Sequence, residues 1–137
     1  MKIGTAYYPD YFPPSDWPGD LDRMKAAGIE CVRILEFAWS WYQPEPDRWC
    51  WGGLDDFLEQ VLKREMKVCL ATPTATPPPW FFEKYPDARL MNEQGQVCWS
   101  HRHMTCWNHP EAWGEASRTI RALAQRYGEP GRCEGDG

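Results

Sequence analysis

A chain of 137 residues with a net charge of −5 is long enough for one domain with its own core and too short for two. Its acidic balance, without a run of Lys or Arg, offers no footprint for neutralising phosphates or anionic lipid heads, so neither nucleic acid nor a membrane is expected as a partner. Aromatic residues make up 15% of the chain, with nine Trp, an excess that hints at carbohydrate because Trp stacks on the apolar faces of sugar rings, although large aromatics also build cores and interfaces.

The N-terminal Met-Lys-Ile-Gly-Thr-Ala-Tyr-Tyr-Pro-Asp has no apolar h-region, and no later run approaches the roughly 18 apolar residues of a membrane span, so a cytoplasmic location is expected. Lys2 to Tyr8 is an apolar, β-prone run stopped by Pro9 and followed by the loop Asp10–Pro14, which predicts a first strand ending at the two tyrosines. Ser15 or Asp16 is the candidate N-cap of a first helix carrying Trp17, Leu21 and Met24 on one face, with Gly28 as its C-terminal glycine.

Ile29 to Phe37 is rich in β-branched residues and predicts a second strand. Ala38 to Trp51, with Trp39, Trp41, Trp49, Trp51, Pro44 and Pro46, reads as an aromatic loop. Leu54, Phe57, Leu58, Val61 and Leu62 fill the i, i+3, i+4, i+7, i+8 template, with Asp55 and Asp56 in the first turn where the helix dipole favours acids; this is the second helix. Met66 to Thr72 predicts a third strand, ended by the proline-rich segment 72–79.

A long connection then runs to Asn108. Loops of this length tend to be functional, and this one, with Trp80, Phe81, Phe82, Trp99, Arg102 and Cys106, is where binding is expected. Asn108 and Glu111 resemble a capping box for a third helix with an apolar stripe of Trp113, Ile120, Leu123 and Tyr127, ending near Gly128. The six cysteines, Cys31, Cys50, Cys69, Cys98, Cys106 and Cys133, are scattered without a CxxC; Cys31 and Cys69 sit inside apolar runs, and free buried thiols are expected.

The order βαβαβα implies parallel strands joined by right-handed crossovers. A Rossmann fold would need a glycine-rich turn after the first strand, where Tyr-Tyr-Pro-Asp-Tyr-Phe-Pro-Pro stands instead. An α/β fold of the (β/α)8 barrel kind, incomplete and comprising roughly its first three βα units, fits better, because that fold places its site on elaborated loops after the strand C-termini.

Glu36 falls at the end of the second strand, with Arg33 three residues before it. Two readings stay open: a carboxylate that orients substrate hydroxyls, or an Arg33–Glu36 ion pair that satisfies two awkward charges. Cleavage of a glycosidic bond needs two facing carboxyls, about 5–5.5 Å apart for retention and about 6.5–9.5 Å for inversion; Asp10 and Glu36, the only acids near the strand mouths, do not read as such a couple. His101, His103 and Cys106 lie close in sequence but lack a fourth ligand for a structural zinc. Nothing marks Cys106, with His103 or His109, as an activated thiolate.

Tyr-Tyr-Pro-Asp at 7–10, Val-Arg-Ile-Leu-Glu-Phe-Ala-Trp-Ser at 32–40, Glu-Pro at 45–46, Thr-Pro-Thr-Ala-Thr-Pro-Pro at 72–78 and His-Arg-His-Met-Thr-Cys at 101–106 resemble, in order and spacing, the N-terminal part of glycoside hydrolase family 42 β-galactosidases. The resemblance covers residues 1–130 and leaves 131–137 as a divergent tail. It implies a TIM-barrel catalytic domain that removes terminal non-reducing β-D-galactose with retention, followed in full-length members by further domains and often assembled as a homotrimer. It further implies that Arg102 is the family's substrate-binding arginine and that Cys106 is the first ligand of a four-cysteine zinc cluster. Tyr8, Glu36 and Trp39 fall in matching strings and are candidate substrate contacts.

Three departures from the pattern stand out. Asp10 replaces a common Glu, and Arg-His-Met-Thr-Cys replaces a more aromatic string. After Arg-Tyr-Gly-Glu-Pro at 126–130 the family continues into a fourth strand ending in Asn-Glu, its acid/base, whereas this chain reads Gly-Arg-Cys-Glu-Gly-Asp-Gly. The nucleophile comes later still; Glu134 has no strand to aim it, and Cys133 alone does not rebuild a zinc cluster. The expectation is a fragment of a retaining β-galactosidase, inactive as given because both catalytic glutamates are absent, with open strand edges that favour aggregation. The competing readings are a non-catalytic galactoside-binding or assembly module and another glycosidase of the same barrel clan.

Overall fold

The computed structural model describes residues 3–98, 102 and 104–128. Three parallel strands form its sheet: β1 (Gly4–Ala6), β2 (Cys31–Ile34) and β3 (Lys67–Leu70), side by side in chain order. Gly4 pairs with Cys31, which pairs with Lys67, and Ala6, Arg33 and Cys69 form the next register layer but one. Gly4 permits the first pairing to be close, since a methyl group there would lie 3.2 Å from the Cys31 carbonyl oxygen.

Helices α1 (Trp17–Ala26), α2 (Trp39–Tyr42), α3 (Gly52–Leu62), α4 (Pro79–Lys84) and α5 (Pro110–Tyr127) follow the strands as the alternating pattern requires. Each strand leads through a loop into helix, which is the βα unit of a (β/α)8 barrel; three of the eight are present among the described residues. None of these helices is long and apolar enough to cross a membrane.

The sheet has one covered face. Val32, Ile34 and Val68 are buried against the helices, where Leu54, Phe57, Leu58 and Val61 of α3 meet Trp17 and Leu21 of α1. Phe57 joins them, edge to face with Trp17 at 5.3 Å and stacked with Tyr7 at 5.5 Å. Because side chains alternate along a strand, Cys31, Arg33, Lys67 and Cys69 share the other face, the one that would line the lumen of a closed barrel. This corrects the expectation of buried thiols: Cys69 is exposed, and Cys31, Cys50, Cys98 and Cys106 are half-buried; none of the five forms a disulfide among the described residues.

Gly28, with φ of +82°, ends the turn after α1 as expected. Asp16 stands at the N-cap but makes no side-chain cap, and Ser15 spends its hydroxyl on the Asp16 carboxylate instead. The strands are shorter than the apolar runs; β2 stops at Ile34 because Leu35 turns to φ +76° and takes the chain out of the ladder. The aromatic segment 38–51 is not all loop, since α2 occupies Trp39–Tyr42. Leu62 closes the periodic pattern of α3 yet is 47% exposed.

The connection after β3 differs most from its reading. It contains α4 and two 3-10 turns at Pro73–Ala75 and Pro86–Ala88, and Trp80, Phe81 and Phe82 are buried there as part of the hydrophobic core. In α5 the N-cap is His109, with Pro110 entering the first turn and no side-chain cap, so the expected box from Asn108 does not form. Its buried stripe is Ala112, Glu115, Ala116, Thr119, Leu123 and Tyr127. The small residues of that stripe let the helix sit close, and Trp113 is turned outward to 61% exposure, its ring tilted against Trp107 at 5.4 Å.

Candidate functional site

β1 delivers two adjacent tyrosines to opposite sides. The ladder runs one residue past β1, with the Tyr7 N–H donating to the Arg33 carbonyl at 2.9 Å. Tyr7 turns into the helical core and donates its phenol to Asp20 at 2.6 Å; burial, and then that carboxylate, push its pKa up. Tyr8, one residue on, faces the strand mouths, as a period of two dictates. It stacks on Phe37 at 5.9 Å and meets Tyr11 edge to face at 6.2 Å.

Phe37 reaches that position through the left-handed turn at Leu35, which re-aims the residues after β2. From the long connection after β3, Arg102 places its guanidinium carbon 4.4 Å from the Phe37 ring centre, within cation–π range. Tyr8, Tyr11, Phe12, Phe37 and Arg102 line a cavity of about 310 Å3. The segments after all three strands thus converge on one recess at the C-terminal ends of the strands, where a barrel of this kind carries its chemistry.

Of the residues singled out from the sequence, Tyr8 and Arg102 meet here. Glu36 does not line the recess: its carboxylate accepts from Arg33 at 2.5 Å, the ion pair being the second of the two readings left open for it. Trp39 lies in the core, outside the lining of the recess. It is 1% exposed, its indole N–H donates to the Gln43 side chain at 2.7 Å, and Trp80 and Phe81 pack on its ring. Gln43 also accepts from the Trp80 indole through its carbonyl at 3.0 Å and donates to Pro46 at 2.8 Å, so it ties the loop after β2 to α4 beneath the mouth.

Asp10 is half-buried in the loop after β1, and the loss of water around it raises its carboxyl above the ordinary 3.8. Asp10 and Glu36 both lie outside the lining of the cavity, which contains no carboxylate among the described residues. Phe37, Tyr11 and Phe12 are lining residues that the sequence did not single out. Phe37 read as the last residue of a strand, because nothing in Ile-Leu-Glu-Phe announces a positive φ at Leu35.

Cys106 is fixed by its backbone, its N–H donating to Ala88 at 2.8 Å and its carbonyl accepting from His109 at 3.0 Å. A structural zinc needs four ligands, and no group of three His, Cys, Asp or Glu that could hold a metal occurs among the described residues. Cys106 by itself therefore does not make the site; His101, His103, Cys133 and Glu134 lie outside the described residues.

Comparison with known proteins agrees with this architecture. The family model for glycoside hydrolase family 42, described as beta-galactosidase, matches residues 6–133. The beta-galactosidase BgaA of a Thermus species is 40% identical over 127 residues, which is 92% of this chain and 20% of that protein. Among solved structures, the beta-galactosidase of the psychrophilic Marinomonas ef1 superposes with a TM-score of 0.89 at 36% identity, over 96% of this chain and 20% of that one. The polyextremophilic beta-galactosidase of the Antarctic haloarchaeon Halorubrum lacusprofundi gives 0.91 at 32% identity, over 98% and 20%. The chain spans about one fifth of the length of these relatives. With most of its residues matched by that family model and the fold shared throughout, the chain belongs to glycoside hydrolase family 42.

Proposed function

We propose that this chain forms part of the galactoside-binding mouth of a retaining β-galactosidase and does not hydrolyse a glycosidic bond by itself. The observation that carries the proposal is the convergence of Tyr8, Phe37 and Arg102, from three successive βα loops, on one recess. The aromatic wall suits the C–H face of a pyranose, and the Arg102 guanidinium, a fixed fork of donors, suits its hydroxyls. Hydrolysis with retention needs an acid and a nucleophile about 5–5.5 Å apart, and the described residues lining this recess include no carboxylate.

Support for the sugar class comes from the family and from the relatives named as beta-galactosidases. In the same reading, Cys106 serves as one thiolate of a zinc site whose other ligands come from outside the described residues; such a metal would hold loops together and takes no part in the bond cleavage.

The test is a titration of the full chain with methyl β-galactoside, alongside an assay with nitrophenyl β-galactoside. The expected result is weak saturable binding that Arg102→Ala abolishes, with no nitrophenol released above the level of that variant. Release that depends on Arg102 would overturn the non-catalytic assignment; absence of Arg102-dependent binding would overturn the binding assignment.

A further inference from the structure

Two residues that line the mouth are left bare by the fold. Tyr11 is 74% exposed and Phe12 is 45% exposed, side by side in the loop after β1. A lone apolar residue on a surface needs no explanation, but these two continue the aromatic wall of Tyr8 and Phe37 and form one contiguous surface with it.

The loop that carries them is fastened rather than loose. The Tyr11 N–H donates to the Tyr8 carbonyl at 3.0 Å, and the Phe12 carbonyl accepts from the Trp17 indole at 3.2 Å. Pro9, Pro13 and Pro14 restrict the backbone on either side. Phe12 stacks one face on Tyr7, nearly parallel at 5.4 Å, and its exposure leaves the opposite face to solvent. Tyr11 meets Tyr8 edge to face at 6.2 Å, and at its exposure the side turned from Tyr8 is uncovered. Faces held open in this way cost a ligand little ordering of the protein.

Their depth says which part of a ligand they meet. Tyr8 and Phe37 are half-buried, whereas Tyr11 and Phe12 stand at the exposed rim of the same recess. A terminal galactose that enters a mouth trails its substituent toward solvent, so a galactoside seated on Tyr8, Phe37 and Arg102 carries its attached group past this rim.

The chemistry of the rim selects among attached groups. The side-chain hydrogen-bonding groups among the described lining residues are two phenols and the Arg102 guanidinium, with neither a carboxylate nor a carboxamide. A second sugar would bring several hydroxyls to two aromatic faces, and a hydroxyl that gives up water without a partner weakens binding. A flat apolar group brings none and covers both faces. Resting on the galactoside-binding reading of the mouth, we infer that Tyr11 and Phe12 seat the group attached to galactose and select a neutral aryl group over a second sugar.

The test is calorimetry of the full chain with methyl β-galactoside, phenyl β-galactoside and lactose. The phenyl galactoside should bind about fivefold tighter than the methyl one, the gain that an aromatic contact gives, and lactose should show no such gain. Tyr11→Ser should bring the phenyl-to-methyl ratio to within about twofold, and Tyr11→Phe should keep it. The Tyr11 side chain is exposed, so both variants should retain the parent melting temperature. A phenyl galactoside no tighter than the methyl one, a ratio indifferent to Tyr11→Ser, or a gain for lactose equal to that for phenyl would each overturn the inference. Phenyl binding undiminished by Arg102→Ala would also overturn it, because the aryl group would then bind without the galactose. Failure of the mouth reading shows separately, as methyl β-galactoside binding that is absent or independent of Arg102, and it removes the inference as well.

Discussion

The Arg102 guanidinium lies 4.4 Å from the Phe37 ring centre, which couples the long connection after β3 to the backbone turn that ends β2. A cation over an aromatic face at an exposed site contributes about 0.5–1 kcal/mol. Phe37→Leu keeps an apolar wall but removes the π face for both Arg102 and Tyr8. Its affinity for methyl β-galactoside should fall about 2–5-fold by calorimetry, the factor that this energy corresponds to. Unchanged affinity would show that Arg102 is held by other contacts.

Two adjacent glycines open α3, and they should respond in opposite ways to the same methyl group. A Cβ on Gly52 meets nothing within 4 Å, so Gly52→Ala gains the helical preference of alanine, up to about 1 kcal/mol. A Cβ on Gly53 would lie 2.8 Å from Cζ2 of Trp41, and the half-buried indole would have to shift. Overpacking of that kind costs about 1–3 kcal/mol, so Gly53→Ala should lower the urea midpoint while Gly52→Ala raises it. Equal shifts would mean that Trp41 moves freely.

Much of the architecture was legible because it rests on periodicity. The strand, helix and glycine order up to Val61 follows from apolar spacing and from Gly28, and those signals are local. What escaped depends on tertiary partners. Trp39 and Trp80 read as binding aromatics, but Gln43 satisfies both indoles, one through its side chain and one through its carbonyl, and that pairing across 37 residues is invisible in either segment. Trp113 read as core because it is large and apolar, whereas the close seat of α5 is set by Ala112, Ala116 and Thr119. At the mouth, Tyr8 and Arg102 were found through family strings, while Phe37 depends on a single dihedral at Leu35.

Asp10 should give the chain a distinctive dependence on pH. Desolvation raises its carboxyl above 3.8 in the folded state, so between the unfolded and folded values the folded chain holds a proton that the unfolded chain releases. Stability from this group is therefore intact at or below pH 3.8 and declines as pH rises through the folded value. Asp10→Asn removes the charge that burial penalises. Its unfolding midpoint should exceed that of the parent at neutral pH, and the advantage should shrink on acidification and vanish near pH 3.8. A pH-independent difference would mean that the amide acts through new hydrogen bonds.

Tyr42 and Thr119 are both fully buried, and their hydroxyls meet at 2.8 Å across the interface between α2 and α5. Burial pushes the Tyr42 pKa upward, so the phenol stays neutral and needs a partner. Thr119→Val removes that partner at nearly constant volume and strands a buried hydroxyl, at a cost of about 1–3 kcal/mol. Tyr42→Phe should cost less, because a helical threonine can turn its hydroxyl to the carbonyl four residues back. With both changes no stranded group remains, so the double variant should be more stable than the sum of the single losses predicts, a coupling that urea unfolding of the four proteins measures. Strict additivity would show that the two hydroxyls do not depend on each other.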